Sequence, residues 1–202
     1  MNESAEFNPS GARWPQFRIA ALFWVTFSIG LGIAYLQRLY AAEIILGGPI
    51  SLMIGASAGA LLGKLFANVW DGLFWGTLIA AFGYLTVASD PIYDMRLRLA
   101  WAFIGAATGA TAGSLLNRTS PKPLTAVCII ASGLAAIVMF AHTFIGRFSL
   151  DAKLDLLAAP IVGVLVVVFV KLLLWMEARY KTPRYVTATW SLLVVILGNW
   201  LA

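Results

Sequence analysis

Apolar residues along the chain form long runs that are separated by short polar breaks. A helix needs roughly 20 mainly apolar residues to cross about 30 Å of hydrocarbon at about 1.5 Å per residue. Seven runs come close to this length, so the sequence predicts an all-α, polytopic membrane protein with about seven transmembrane helices. The runs cover residues 17–36, 49–66, 72–88, 97–116, 124–145, 154–176 and 185–202.

The polar breaks divide the chain into two parts. Residues 1–16 form a polar N-terminal segment, and residues 17–202 form a single transmembrane bundle. Pro49 favours a helix start, because its missing N–H has no helical partner in a first turn, and the Gly-Gly pair before it indicates a break. The stretch 37–46 either extends the first helix or lies in the membrane interface. We favour the extension, because this stretch contains no Gly or Pro.

The composition supports a membrane protein. Hydrophobic residues make up 61% of the chain and charged residues 11%, with a mean hydropathy of +0.87, whereas soluble domains carry about 25% charged residues. This composition excludes a water-soluble fold, and it excludes disorder, which requires low hydrophobicity and high charge. The net charge is +5, but the basic residues lie between apolar runs. We therefore expect the lipid bilayer as the partner and no nucleic acid.

The basic residues in the breaks indicate how the helices cross the membrane. Seven spans place eight of them on one side: Arg13, Arg18, Lys64, Arg118, Lys122, Arg179, Lys181 and Arg184. They place five on the other side: Arg38, Arg96, Arg98, Arg147 and Lys153. Because cytoplasmic loops carry the excess of Lys and Arg, we predict a cytoplasmic N-terminus and an external C-terminus in a plasma or inner membrane.

A stretch of ten residues recurs at an offset of 50 positions. Residues 54–63 and residues 104–113 each carry glycine at i, i+4 and i+8. The first glycine triplet is Gly55, Gly59 and Gly63, and the second is Gly105, Gly109 and Gly113. The similarity extends into the following run, where Ile79, Ala81 and Gly83 correspond to Ile129, Ala131 and Gly133. The pattern predicts a duplicated helical hairpin with copies over about 49–88 and 97–145.

Each triplet has the spacing of a glycine zipper. Residues at i, i+4 and i+8 share one helix face, so the three glycines make a shallow groove that lets another helix backbone approach closely. Such close packing stabilises helix bundles in lipid, where there is little hydrophobic drive between helices. We favour packing within one chain, as the central contact between the two hairpin copies. The alternatives are a homo-oligomeric interface and a groove that admits a lipid, cofactor or solute.

Ionisable residues are rare within the predicted spans. Lys171 lies inside a span near its cytoplasmic end, where its long stem could snorkel to the headgroups. The alternative is a role in binding a solute or a lipid headgroup. His142 is interpreted as an interfacial, hydrogen-bonded residue, with a proton carrier as the alternative. Asp71 is expected to cap the third span, because its carboxylate can accept N–H groups of the first turn.

The sequence contains no recognisable enzyme motif and predicts no catalytic, metal or cofactor site. The chain has one cysteine and one histidine, which exclude an internal disulfide and a His-His ligand pair. We therefore expect a non-catalytic multi-pass membrane protein that packs on itself, as a homo-oligomer, or on a membrane-protein partner. A small transporter or channel is the alternative, because many transporters are built from duplicated helix groups. A membrane-embedded enzyme that acts on lipids is a third possibility.

Overall fold

A computed structural model of the chain describes residues 41–88, 95–116, 123–145 and 150–201. These ranges form six α-helices and contain no strand, so the prediction of an all-α fold is confirmed for this part of the chain. The helices are α1 (Ala41–Leu65), α2 (Val69–Ala88), α3 (Met95–Leu115), α4 (Leu124–Ile145), α5 (Leu150–Tyr180) and α6 (Arg184–Leu201). The predicted polar segment 1–16 and the predicted span 17–36 lie outside the described residues.

Three of the helices described are long and apolar enough to cross a membrane. The apolar segments are Gly47–Leu65 in α1, Leu124–Phe144 in α4 and Lys153–Tyr180 in α5. Most residues in each segment are not buried inside the protein, so large apolar side chains face outward. An apolar outer surface of this kind is typical of a protein whose surroundings are lipid.

The predicted break before Pro49 is wrong. Helix α1 begins at Ala41 and continues through both glycines and Pro49 to Leu65. Gly47 serves packing instead: it is buried, and a Cβ added there would overlap the hydroxyl group of Tyr84 and lie 2.6 Å from Cε of Met95, whereas a Cβ at Gly48 would meet no heavy atom within 4 Å. Residues 41–46 therefore belong to the helix that was predicted second, and residues 37–40 lie outside the described residues.

Helix α3 lies at the centre of the bundle. It packs against α1 and α2, which contact each other, and against α4 and α5, which also contact each other. Fourteen of its 21 residues are buried, and most of these are Gly, Ala, Ser or Thr. Because these side chains are small, four neighbouring helices can approach the α3 backbone. Helix α6 is peripheral and packs against α2 and α5.

The largest apolar cluster joins α2, α3, α4 and α5. It includes Trp75 and Ile79 from α2, Leu116 just after α3, Val127 from α4 and Leu174 from α5. In this cluster the C-terminal end of α3 packs at the level of the C-terminal half of α5. A second cluster places Ile104, earlier in α3, beside Ala159, earlier in α5, so the two helices run in the same direction.

Candidate functional site

The first glycine triplet faces α2. A Cβ at Gly59 would lie 2.5 Å from the carbonyl oxygen of Gly72, and one at Gly63 would lie 2.7 Å from the carbonyl oxygen of Asn68. The contact is reciprocal, because a Cβ at Gly76 would lie 2.7 Å from Cα of Gly59. The two helix backbones therefore touch along about two turns, with no side chain between them.

Two glycines of this contact were not singled out from the sequence. Gly72 and Gly76 lie on the α2 side, where their Cβ positions are blocked by the α1 backbone. They are four residues apart, so they share one face of α2. The same spacing rule that selected the two triplets would have found this pair, had it been applied to the third apolar run.

The second glycine triplet also faces α2, on a face that adjoins the one used by the first triplet. A Cβ at Gly109 would lie 2.6 Å from the carbonyl oxygen of Trp75, and one at Gly105 would overlap the carbonyl oxygen of Ile79. At Gly113 the added atom would overlap the indole ring of Trp75. Each triplet thus contacts α2, rather than the other triplet, and α1, α2 and α3 all pack against one another, with Gly76 of α2 close to both Gly59 and Ala110.

The two predicted hairpin copies have different surroundings. Ile79 is 3% exposed, whereas Ile129, at the corresponding position in α4, is 67% exposed. A Cβ at Gly83 would overlap the carbonyl oxygen of Trp101, whereas no heavy atom lies within 4 Å of a Cβ at Gly133. Helix α4 does not contact α3 with the face that its counterpart α2 uses. Its buried side chains, including Ala131, Ala135 and Met139, lie on a different face of α4.

Asp71 lies in a polar cluster at the N-termini of α2 and α6. Its carboxylate forms an ion pair with the guanidinium group of Arg184. The side-chain amide of Asn68 donates a second hydrogen bond to this carboxylate, at 2.6 Å. The Arg184 guanidinium also lies over the ring of Phe74, 5.2 Å from its centroid. The cluster joins the first turn of α6 to the first turn of α2.

The N-cap residue of α2 is Asn68, and not Asp71 as the sequence predicted. Helix α2 begins at Val69, so Asp71 lies within its first turn. The side-chain oxygen of Asn68 accepts a hydrogen bond from the Asp71 N–H at 3.4 Å, which is the contact that an N-cap residue makes with the third helical position. Asp71 in turn stabilises the helix N-terminus by its negative charge.

The other two candidates, Lys171 and His142, lie elsewhere. Lys171 is exposed on α5, and His142 is partly buried in the last turn of α4. Within the described part of the chain, Asp71 is bonded to Asn68 and Arg184 and to neither of these residues. The structure therefore does not bring the three candidates into one site.

Two buried charged residues were not selected as candidates from the sequence. Arg98 in α3 is 6% exposed, and Glu177 in α5 is fully buried. Because α3 and α5 run in the same direction, these residues lie towards opposite ends of the bundle. The predicted sixth span ends at residue 176, but α5 continues to Tyr180. Glu177 follows Val170, Leu173 and Leu174 at helical spacing, so it shares their buried face.

An apolar pocket of about 450 Å³ lies between α2, α3 and α5. Helices α2 and α5 each pack against α3, but their backbones hardly approach each other, which leaves this space between them. It is lined by Ile79, Phe82, Gly83, Thr86 and Val87 of α2, by Trp101, Ile104 and Gly105 of α3, and by Val162, Leu165, Val166 and Phe169 of α5. The hydroxyl group of Thr86 is bonded within its own helix, to the carbonyl oxygen of Phe82 at 2.9 Å.

Comparison of the chain with protein-family models, with curated proteins and with solved structures found no match.

Proposed function

We propose that this chain is a non-catalytic, multi-pass membrane protein whose helices are held together by its glycine zippers. About seven helices would span the membrane, with the three long apolar helices among them. The lipid bilayer is its main partner, and a second copy or another membrane protein would contact its outer surface. The chemistry of the described residues supports a packed, apolar interior more than a reaction centre.

The observation that carries this proposal is the contact of both glycine triplets with α2, in a group of three helices, α1, α2 and α3, that all pack against one another. Lipid tails are as apolar as leucine side chains, so helix association in a membrane depends on close van der Waals contact and on hydrogen bonds between helices. Backbone contact at Gly59 and at Gly109 supplies the first of these on two adjoining faces of α2. Ser114 supplies a hydrogen bond of this kind, because its hydroxyl group donates to the carbonyl oxygen of Asn68 at 3.4 Å.

The orientation that we propose has a cytoplasmic N-terminus and an external C-terminus in a plasma or inner membrane. Four basic residues support it, because they lie where α1 and α5 end or α6 begins: Lys64, Arg179, Lys181 and Arg184. The antiparallel order of the helices brings these positions to one end of the bundle, together with Asp71. A concentration of Lys and Arg at one end is typical of the cytoplasmic side.

Reporter fusions at the two termini would test the span count and the orientation. We expect a cytoplasmic reporter to be active at the N-terminus and an external reporter to be active at the C-terminus. Both termini on one side would overturn the odd number of spans. Release of the full chain from membranes by alkaline extraction would overturn the membrane assignment itself.

Glu177 favours the alternative function, a small transporter or channel. Ionisable residues inside membrane helices are costly and mark ion or proton pathways in many proteins. Proton flux into liposomes that contain the purified chain would test this alternative. Flux that is above that of empty liposomes and is lost in Glu177→Gln would favour transport. Flux equal to that of empty liposomes would favour the packing role.

A further inference from the structure

We propose that the pocket between α2, α3 and α5 binds one acyl chain of a membrane phospholipid. This inference rests on the proposed membrane embedding of the bundle. Three properties of the pocket support it, namely its depth along the helices, its lining and its elongated shape.

The depth of the pocket places it in hydrocarbon. The lining residues of α5, from Val162 to Phe169, lie in the middle of the apolar segment Lys153–Tyr180, whereas the linings of α2 and α3 lie towards Ala88 and Met95. The pocket therefore extends from the middle of the bilayer towards the end of the bundle opposite Asp71. Molecules that reach the pocket at this depth are mainly lipid tails.

The lining offers few polar groups for a polar solute or water. Its side chains are aliphatic or aromatic, apart from the hydroxyl of Thr86 and the indole N–H of Trp101. An apolar cavity of about 150 Å³ stays dry and binds small apolar molecules. The pocket described here is about three times that size, within the range of about 300–1,000 Å³ of ligand sites.

The pocket is elongated along the helix axes. Its lining extends from Ile79 to Val87 on α2, which corresponds to about 12 Å at about 1.5 Å per residue. Phe82 and Phe169 approach across it, with ring centroids 6.4 Å apart. The rim is open at Leu165, which is 61% exposed. An extended lipid tail lies roughly parallel to membrane-spanning helices, so it could reach this groove sideways from the bilayer.

Photolabelling would test the proposal on the full chain in phosphatidylcholine vesicles. A small fraction of the lipid would carry a diazirine in the middle of one acyl chain, and mass spectrometry would locate the adducts after irradiation. We expect adducts on Trp101, which lines the pocket on α3, in addition to adducts on the outward-facing Leu157 and Leu172.

Two matched variants make the test specific to the pocket. Val166→Trp would fill the pocket and should remove the Trp101 adducts, whereas Val168→Trp, whose side chain faces outward, should retain them. Both should keep the adducts on Leu157 and Leu172. If Val166→Trp does not fold, as judged by gel filtration, Val162→Phe fills the same space with a smaller ring.

The possible outcomes separate this inference from the proposed function. Labelling of Leu157 and Leu172 without labelling of Trp101 would overturn the acyl-chain site and leave the membrane embedding intact. Trp101 adducts that persist in the folded pocket-filling variant would also overturn the site. An absence of adducts on all three residues would contradict the membrane embedding. Adducts that link two copies of the chain through this groove would identify a second copy as the occupant, against the proposal.

Discussion

Ala67 occupies a backbone conformation that glycine usually adopts. Its φ angle is 59°, in the left-handed region. The N–H of Asn68 donates to the carbonyl oxygen of Gly63 at 2.7 Å, and the N–H of Ala67 donates to that of Lys64 at 3.1 Å. These two hydrogen bonds form a Schellman motif at the end of α1. The motif turns the chain back so that α2 contacts the glycine face of α1.

Substitutions at Ala67 should therefore change stability in opposite directions. A left-handed conformation costs a residue with a Cβ about 1–2 kcal/mol, whereas glycine adopts it without this cost. We expect Ala67→Gly to raise the free energy of unfolding by up to about 1 kcal/mol and Ala67→Val to lower it by at least as much. Thermal unfolding of the detergent-solubilised protein measures both. A stabilising valine would contradict the left-handed conformation.

The ion pair between Asp71 and Arg184 should make a small, measurable contribution to stability. The side chain of Asp71 is 14% exposed, but that of Arg184 is 39% exposed, so solvent screens the pair. A double-mutant cycle with Asp71→Asn and Arg184→Gln should give a coupling energy of about 0.5–1 kcal/mol. High salt should reduce it. Zero coupling at low salt would mean that α6 is not held to α2 through this pair.

Lys171 should tolerate loss of its charge. It is exposed on α5, and its long side chain can reach towards the headgroups. We expect Lys171→Met to leave the amount of membrane-inserted protein nearly unchanged, as measured by immunoblot of membrane fractions. Lys64→Met, at the exposed end of α1, is the matched control. A large loss in Lys171→Met alone would indicate a specific partner and would favour transport.

At the scale of helices, local signals predicted most elements and failed where packing overrides them. The predicted run 124–145 coincides with α4, because turn residues and Pro123 bound a continuous apolar stretch. The start of α1 was missed, because a Gly-Gly-Pro sequence normally interrupts a helix. Here Gly47 lies against Tyr84, which is 37 positions later in the chain. A contact of that kind cannot be inferred from the pattern of neighbouring residues.

The zippers can be tested with alanine, because a single methyl group distinguishes a packed glycine from an exposed one. In an open helix position, Gly→Ala stabilises by about 0.8–1 kcal/mol. Gly133→Ala should do so, since its Cβ would meet no heavy atom within 4 Å. Gly59→Ala and Gly109→Ala should instead destabilise by about 1–3 kcal/mol, because each methyl group would meet backbone of α2. Thermal unfolding in detergent would report the sign.

The double variant Gly59→Ala/Gly109→Ala tests whether α2 is held from both sides. Because the two contact faces of α2 adjoin, one displacement of α2 relieves part of both contacts, so the double variant should lose less stability than the sum of the single variants. A cost larger than the sum would mean that the triplets hold α2 from opposite sides. Equal stabilisation at all three glycines would place the zippers on an open surface.

At the scale of the whole molecule, the sequence predicted what surrounds the bundle better than what lies inside it. Outward-facing apolar residues follow from composition and run length, which is why the three membrane-length helices were expected. The central position of α3 depends on which helices pack against its faces of small residues. The pocket likewise depends on the separation between α2 and α5. No pattern in the sequence indicates that separation. Predicting the burial of Glu177 would have required placing the end of α5 one turn later.

Helix α5 allows the membrane arrangement to be tested within one element. Its apolar segment begins at Lys153, and Lys181 directly follows its last residue, Tyr180; both lysines are exposed. The chain has a single cysteine, Cys128, so Cys128→Ala provides a background without thiols. In this background, Lys153→Cys places one thiol near the N-terminal end of α5, and Lys181→Cys places one just after its C-terminal end.

A membrane-impermeant maleimide should then label the two ends of α5 differently. We expect Lys153→Cys to react in intact cells and Lys181→Cys to react only after permeabilisation, because the basic end of the bundle faces the cytoplasm. The reverse pattern would preserve a spanning α5 and invert the orientation of the whole molecule. Labelling of both thiols from outside would mean that α5 does not cross the bilayer. In that case its outward-facing apolar residues would have to be covered by another protein, since an exposed surface of this kind does not remain in contact with water.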